Sequence, residues 1–234
     1  MYTMASAWKN SGQNLVYGIV DPLIKLFIKI GVTPNMVTLM GLILNIGVTI
    51  ILIWGAEKGI RDDHTYVFWA GLLILIAGLM DMLDGRLARV GNMANDYGAL
   101  FDSVLDRYSE LIMFLGICYY LISHDYFLSS LFAFIAMIGS IMVSYTRARA
   151  EGLGVTASVG MMQRPERILI VGISALLCGT ASYYLGGEFK FKWNGIIIVE
   201  TITFFTFPLF LLAFGANITA IKRLLFAKNE LNKQ

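Results

Sequence analysis

Charge is scarce in this chain. Only 15% of its 234 residues are Asp, Glu, Lys or Arg, against roughly 25% in soluble domains, which excludes an ordinary water-soluble globule. Cysteine and histidine are scarcer still, at two each. Cys118 and Cys178 sit in separate apolar runs without a partner motif, so they are read as packing residues rather than a disulfide or zinc framework. His64 and His124 fall in predicted loops. A net charge of +2 is too small to argue for nucleic acid. No signal peptide is expected, because Asp21, Pro22, Lys25 and Lys29 interrupt any apolar core near the N-terminus.

What the chain has instead is grease: 57% of it is hydrophobic. Six segments are long enough to cross a bilayer, which needs about 20 helical residues. They lie near Asn35–Trp54, Tyr66–Arg86, Ala99–Ile122, Phe127–Arg147, Glu166–Leu185 and Asn194–Ala220. Thr33-Pro34 has the chemistry of a helix start. Ahead of it, "DPLIKLFIKIG" reads as a short amphipathic helix lying on the membrane surface, capped by Asp21, with Lys25 and Lys29 set against Leu23, Phe27 and Ile30. The fold class is therefore all-α integral membrane, with six spans preceded by a juxtamembrane helix. Residues 1–234 form a single domain without internal repeats. Of the 18 Lys and Arg residues, all but Lys58, Arg61, Lys190 and Lys192 fall on one side if both termini are cytoplasmic. By the positive-inside rule, that orientation is expected in an inner or cytoplasmic membrane.

The charges that remain are not scattered. In "DMLDGRLARVGNMANDYGALFDSVLD", Asp81 and Asp84 share one face at the end of the second span, and Asp102 and Asp106 share one face at the start of the third. A short connector should make these two spans neighbours, so the acidic faces converge. Four carboxylates in one small space repel unless cations neutralise them. Oxygen-only ligands suit hard ions, and paired Mg²⁺ or Mn²⁺ ions serve phosphoryl displacement. Gly85 and Gly98 remove side chains beside the acids, and Arg89 stands where it could pair with a phosphate. The plainer alternative is helix–helix pairing of these acids with Arg86, Arg89 and Arg107. Asn95 and Asp96, in the connector, read as ordinary turn residues.

The order Asp81-x2-Asp84-Gly85-x2-Ala88-Arg89-x8-Gly98-x3-Asp102-x3-Asp106 resembles the complete signature of the CDP-alcohol phosphotransferases. The six spans with a preceding surface helix are similar to that family as well. The resemblance implies two divalent cations, Mg²⁺ or Mn²⁺: Asp81, Asp84 and Asp102 around one, with Asp81, Asp102 and Asp106 around the other. It makes Asp106 the general base on the acceptor hydroxyl and assigns Gly85, Arg89 and Gly98 to the CDP site. "TPNMVTLMG" resembles the family's motif at the head of the first span, which brings Asn35 and Thr38 to the same site. The implied reaction moves the phosphatidyl group of CDP-diacylglycerol onto an alcohol and releases CMP. A homodimer is implied by the resemblance alone.

Two further stretches bear on the alcohol. "SYTRARAEGLG" closes the fourth span and "QRPER" opens the fifth, and cations clustered beside a phosphoryl-transfer site suit an acceptor that itself carries a phosphate. Both stretches resemble the prokaryotic phosphatidylinositol-phosphate synthases within the family. That likeness assigns Ser144, Arg147 and Arg167 to an inositol phosphate, with Arg223 beside them. Arg147 stands where many such enzymes have Lys, and glycerol 3-phosphate is the competing acceptor. An aspartate-rich membrane prenyltransferase would place its acidic motifs far apart, and a cation transporter would place its acids nearer mid-membrane.

Overall fold

A computed structural model of the chain describes residues 21–193 and 196–233. Residues 1–20, including the N-terminus expected on the cytoplasmic side, lie outside the described residues. Residues 21–29 form helix α1. Six long helices follow: α2 (Pro34–Lys58), α3 (Thr65–Val90), α4 (Asp96–Ser123), α5 (Phe127–Glu151), α6 (Arg164–Leu185) and α7 (Thr203–Leu231). Five of them, α2, α3, α5, α6 and α7, are long and apolar enough to cross a membrane. Helix α4 is as long, at 28 residues, but carries Asp96, Asp102, Asp106, Arg107 and Glu110 between its start and its middle.

The described elements are not purely helical. Lys190–Trp193 (β1) pairs antiparallel with Ile196–Glu200 (β2) ahead of α7. The last span was expected to begin at Asn194, which lies outside the described residues. The run of Ile and Val that follows it belongs to a strand, as its β-branched side chains favour. Helix α7 then extends beyond the expected end at Ala220 to Leu231 and carries Lys222, Arg223 and Lys228 on its last turns.

The main core gathers Val48 and Leu52 of α2, Ile74 of α3, Phe114, Ile117 and Tyr120 of α4, Val171 of α6, and Phe205, Leu209 and Leu212 of α7. Large apolar side chains also face outward, among them Ile43, Ile50 and Trp54 on α2 and Leu211, Phe214 and Ile218 on α7. An apolar exterior on that scale would be a liability in water, and lipid removes the liability. Small residues let the helices approach. A Cβ at Gly71 of α3 would lie 2.7 Å from the Ala175 Cβ of α6, and one at Gly139 of α5 would lie 2.9 Å from the Ala216 Cβ of α7. Packing of this kind replaces the hydrophobic driving force that is missing inside a bilayer.

One expectation is corrected by the packing. Helices α3 and α4 are not principal packing partners; each lies along α2 instead, while α3 also packs on α6 and α5 on α7. The gap between the C-terminal end of α3 and the N-terminal end of α4 is what leaves room for a site. In α1, Ile24 is the fully buried residue, packed with Val37, Leu83 and Leu87, whereas Leu23 and Ile30 are exposed. Asp21 pairs with Arg86 of α3 at 2.9 Å, which fixes α1 against the bundle.

Candidate active site

The chain builds the site from a turn outward. Helix α3 stops at Gly91, and Asn92 takes a left-handed conformation with φ of 50°. Asn tolerates that region better than most residues, so the chain can reverse there. Asn95 then caps α4, its Oδ1 accepting from the Gly98 N–H at 2.7 Å. This connector returns α4 alongside the end of α3 and sets the two acidic faces toward a common gap.

Asp81, Asp102 and Asp106 meet there, with one ligand oxygen from each lying within 4.8 Å of the others. Asp84 stands beside them, 5% exposed, and accepts a hydrogen bond from Thr38 Oγ1 at 2.8 Å. Thr38 is thus brought from α2 to the signature carboxylates. Among the described residues, Asp102 Oδ1 is buried without a hydrogen-bond partner. An ionised oxygen in that condition is costly, and a hard divalent cation is the ligand its chemistry fits. Asp81, Asp102 and Asp106 therefore suit Mg²⁺ or Mn²⁺, whereas Asp84 lies outside that three-carboxylate group.

Among the described residues, the ion pairs at these acids are not the plainer ones expected from the sequence. Arg86 reaches Asp21, and Arg107 folds back onto Ser103 of its own helix. The arginine inside the acidic cluster is Arg164, the first residue of α6. Its Nη1 contacts Asp81 and lies 2.7 Å from Asp106 Oδ2.

Two cavities flank the cluster. The first, of about 220 Å³, is lined by Asn35, Thr38, Asp84, Gly85, Arg89, Asn95, Gly98 and Asp102. All five residues expected at a CDP site thus share one cavity. A Cβ at Gly98 would sit 3.4 Å from both Asn35 Oδ1 and Asn95 Oδ1, so the bare glycine keeps that wall open. Asn95, read from sequence as a turn residue, both caps the helix and lines the cavity.

The second cavity, of about 500 Å³, is lined by Asp102, Asp106, Arg107, Ser144, Arg147, Arg164, Arg167 and Arg223, among others. The four residues expected around the acceptor are all present in its wall, but their donors differ in availability. Arg147 is half-exposed and pairs with Glu151 at 2.8 Å. Arg167 is buried, donating from Nε and Nη2 to Glu110 and from Nη1 to the Met162 carbonyl. Arg223 is buried too and donates to the carbonyls of Val159 and Val143.

Glu110 and Arg164 were not singled out from the sequence. Glu110 could have been found as an acid one helical turn beyond Asp106 in an otherwise apolar run. Arg164 lies within "QRPER", among the cations expected beside the site, but no spacing in the sequence ties it to Asp81 or Asp106.

This arrangement has relatives. The sequence pattern of the CDP-alcohol phosphatidyltransferase family matches residues 31–219. The phosphatidylinositol phosphate synthase of Corynebacterium glutamicum is 32% identical over 168 residues, 71% of this chain and 73% of that protein. The archaetidylinositol phosphate synthase of Pyrococcus horikoshii is 33% identical over 154 residues, 65% of this chain and 73% of that protein. The crystal structure of the Mycobacterium tuberculosis phosphatidylinositol phosphate synthase with CDP-DAG bound superposes with a TM-score of 0.70 at 25% identity, covering 89% of this chain and 93% of that one. The same enzyme in complex with manganese and citrate superposes with a TM-score of 0.66.

Proposed function

The chain belongs to the CDP-alcohol phosphatidyltransferase family, and on that premise we propose that it transfers the phosphatidyl group of CDP-diacylglycerol to inositol phosphate and releases CMP. One observation carries the reading. The two cavities meet at Asp102, which lines both. A donor seated in the first therefore presents its diphosphate to an acceptor seated in the second, across the carboxylate cluster.

In the first cavity, Arg89 pairs with the diphosphate while Asn35, Thr38, Gly85 and Gly98 shape the cytidine side. Asp81, Asp84, Asp102 and Asp106 hold the divalent cations, Mg²⁺ or Mn²⁺. When bound, these cations neutralise the diphosphate and the charge that develops on departing CMP. In the second cavity, Ser144 and Arg147 contact the acceptor's phosphate, and Arg167 and Arg223 set the wall behind them. Asp106 takes the proton from the acceptor hydroxyl. The freed oxygen attacks the lipid-bearing phosphorus, and the bond from that phosphorus to CMP breaks, CMP leaving with the electron pair. Several arginines around one cavity favour an acceptor that already carries a phosphate, because Arg107 and Arg223 have no carboxylate partner among the described residues and add positive charge to its wall.

The site opens where the apolar helices end, so a lipid donor can arrive from the bilayer and a water-soluble acceptor from the cytoplasm. In this reading α2 to α7 all cross the membrane, α4 with its acidic end at the cytoplasmic face. Helix α1 lies along that face, both termini are cytoplasmic, and two copies form a dimer in the inner or cytoplasmic membrane. The test is to incubate purified protein with CDP-diacylglycerol and a panel of acceptors, measuring CMP release and lipid mass. Phosphatidylinositol phosphate should be the main product. Preference for glycerol 3-phosphate, or for free inositol, serine or ethanolamine, would overturn the acceptor assignment.

A further inference from the structure

Two arginines begin α6 one helical turn apart, and they are held in very different ways. Arg167 has Nε, Nη1 and Nη2 all bonded, to Glu110 and the Met162 carbonyl. Arg164 is also largely enclosed, its side chain 19% exposed, and its Nη1 reaches Asp81 and Asp106. Among the described residues, however, its Nε is buried with no partner. Both cations sit at the N-terminal end of a helix, where the backbone dipole disfavours positive charge. Arg167 is compensated there by a complete set of bonds. Arg164 makes its contacts with two carboxylates, and those belong to the cluster that suits a divalent ion.

A guanidinium and a metal ion cannot both occupy that place, because they compete for the same oxygens and repel one another. Arg164 has somewhere to go. Its side chain lines the 500 Å³ cavity that also contains Ser144 and Arg147, so rotation about its own side-chain bonds is enough to bring it there. A long side chain on a fixed helix start can make that move without shifting the backbone.

Resting on the metal and acceptor assignments above, we infer that Arg164 is an exchangeable counter-ion. It neutralises Asp81 and Asp106 when no metal is bound. Arriving metal displaces it into the acceptor cavity, where its guanidinium becomes a ligand for the acceptor's phosphate. The exchange has a thermodynamic consequence. An anion that holds Arg164 in the outward position removes the competitor from the carboxylates, so acceptor and metal each raise the other's affinity. It has a chemical consequence too. Asp106 is free to receive the hydroxyl proton only once Arg164 has left it, so the base becomes available when metal and acceptor are both in place.

The test measures Mn²⁺ binding to the full chain in detergent, from the loss of the free Mn²⁺ electron paramagnetic resonance signal, with and without inositol phosphate. Wild type should bind Mn²⁺ about tenfold more tightly when inositol phosphate is present. Arg164→Gln should bind Mn²⁺ about tenfold more tightly than wild type in the absence of inositol phosphate, and the added phosphate should then change little. Arg164→Lys keeps a cation but replaces the Nη1 contact to the two carboxylates with a compact, more strongly hydrated ammonium, so its Mn²⁺ affinity should fall between the two. Asp102→Asn should bind poorly throughout, which locates the signal at the cluster. Equal Mn²⁺ affinity in wild type, Arg164→Gln and Arg164→Lys overturns the exchange while leaving the metal site intact. Failure of wild type and both Arg164 variants to bind Mn²⁺ overturns the metal assignment itself, and the exchange with it.

Discussion

Arg167 meets Glu110 through two contacts of 2.8 Å, with the two side chains only 1% and 3% exposed, and so ties α6 to α4 one turn beyond Asp106. The pair lies deeper in the bundle than the cavity it borders. Its geometry describes a fastener between two helices, and the position of Arg164 and of the cavity wall depends on it.

Breaking that pair should be expensive. Removing one partner strands a buried charge and costs about 3–5 kcal/mol. Arg167→Ala and Glu110→Ala should each lower the melting temperature in detergent and reduce the yield of folded protein, with activity falling in step. The joint replacement Glu110→Leu with Arg167→Met should recover much of the stability, since it removes both charges together. An Arg167→Ala protein with unchanged melting temperature and a raised acceptor KM would instead assign Arg167 to the acceptor phosphate.

Asp102 lines both cavities and has a buried oxygen without a partner. Asp102→Asn, like Asp81→Asn, should abolish activity at saturating Mg²⁺ or Mn²⁺ while the helical circular dichroism is retained. A chelator should abolish wild-type activity, and added Mn²⁺ should restore it. Full turnover by either variant would contradict a cluster in which these two acids serve both ions.

Asp106 should separate from its neighbours by kinetics. A general base contributes about 10²–10⁴ in rate, so Asp106→Asn should lower kcat by about 10² or more, with a modest loss of CDP-diacylglycerol affinity. If kcat survives and only affinity falls, the proton must go to another group.

The two cavities should be separable by the substrate each affects. A charge-assisted hydrogen bond contributes about 1.5–3 kcal/mol, roughly 10- to 150-fold in binding. Arg147→Ala should raise KM for inositol phosphate toward the lower end of that range, because Glu151 already competes for its guanidinium. Arg89→Ala should raise KM for CDP-diacylglycerol and leave the acceptor KM nearly unchanged. Steady-state kinetics with each substrate varied in turn distinguishes the two, and an identical effect of both variants on one substrate would merge the cavities.

Much of this protein is legible in the chain itself. Asp81 with Asp84, and Asp102 with Asp106, follow from helical periodicity alone, because residues three or four apart must share a face. The long apolar runs and the Thr33-Pro34 start of α2 are local properties that any environment would respect. Even the grouping of Asn35, Thr38, Gly85, Arg89 and Gly98 was accessible, through the likeness of their spacing to a family signature.

Partner choice was not accessible, because it depends on which helix ends arrive together. A short connector between α3 and α4 suggested that they pack on each other, yet both lie along α2, and the gap between their ends became the site. No spacing rule connects Arg164 with Asp81 across 83 residues, or Arg167 with Glu110 across 57. Two arginines three positions apart on one helix look equivalent in sequence. The bundle made one of them a buried fastener and left the other in the carboxylate cluster, because a charge in this interior must take whatever counter-charge the packing places within its reach.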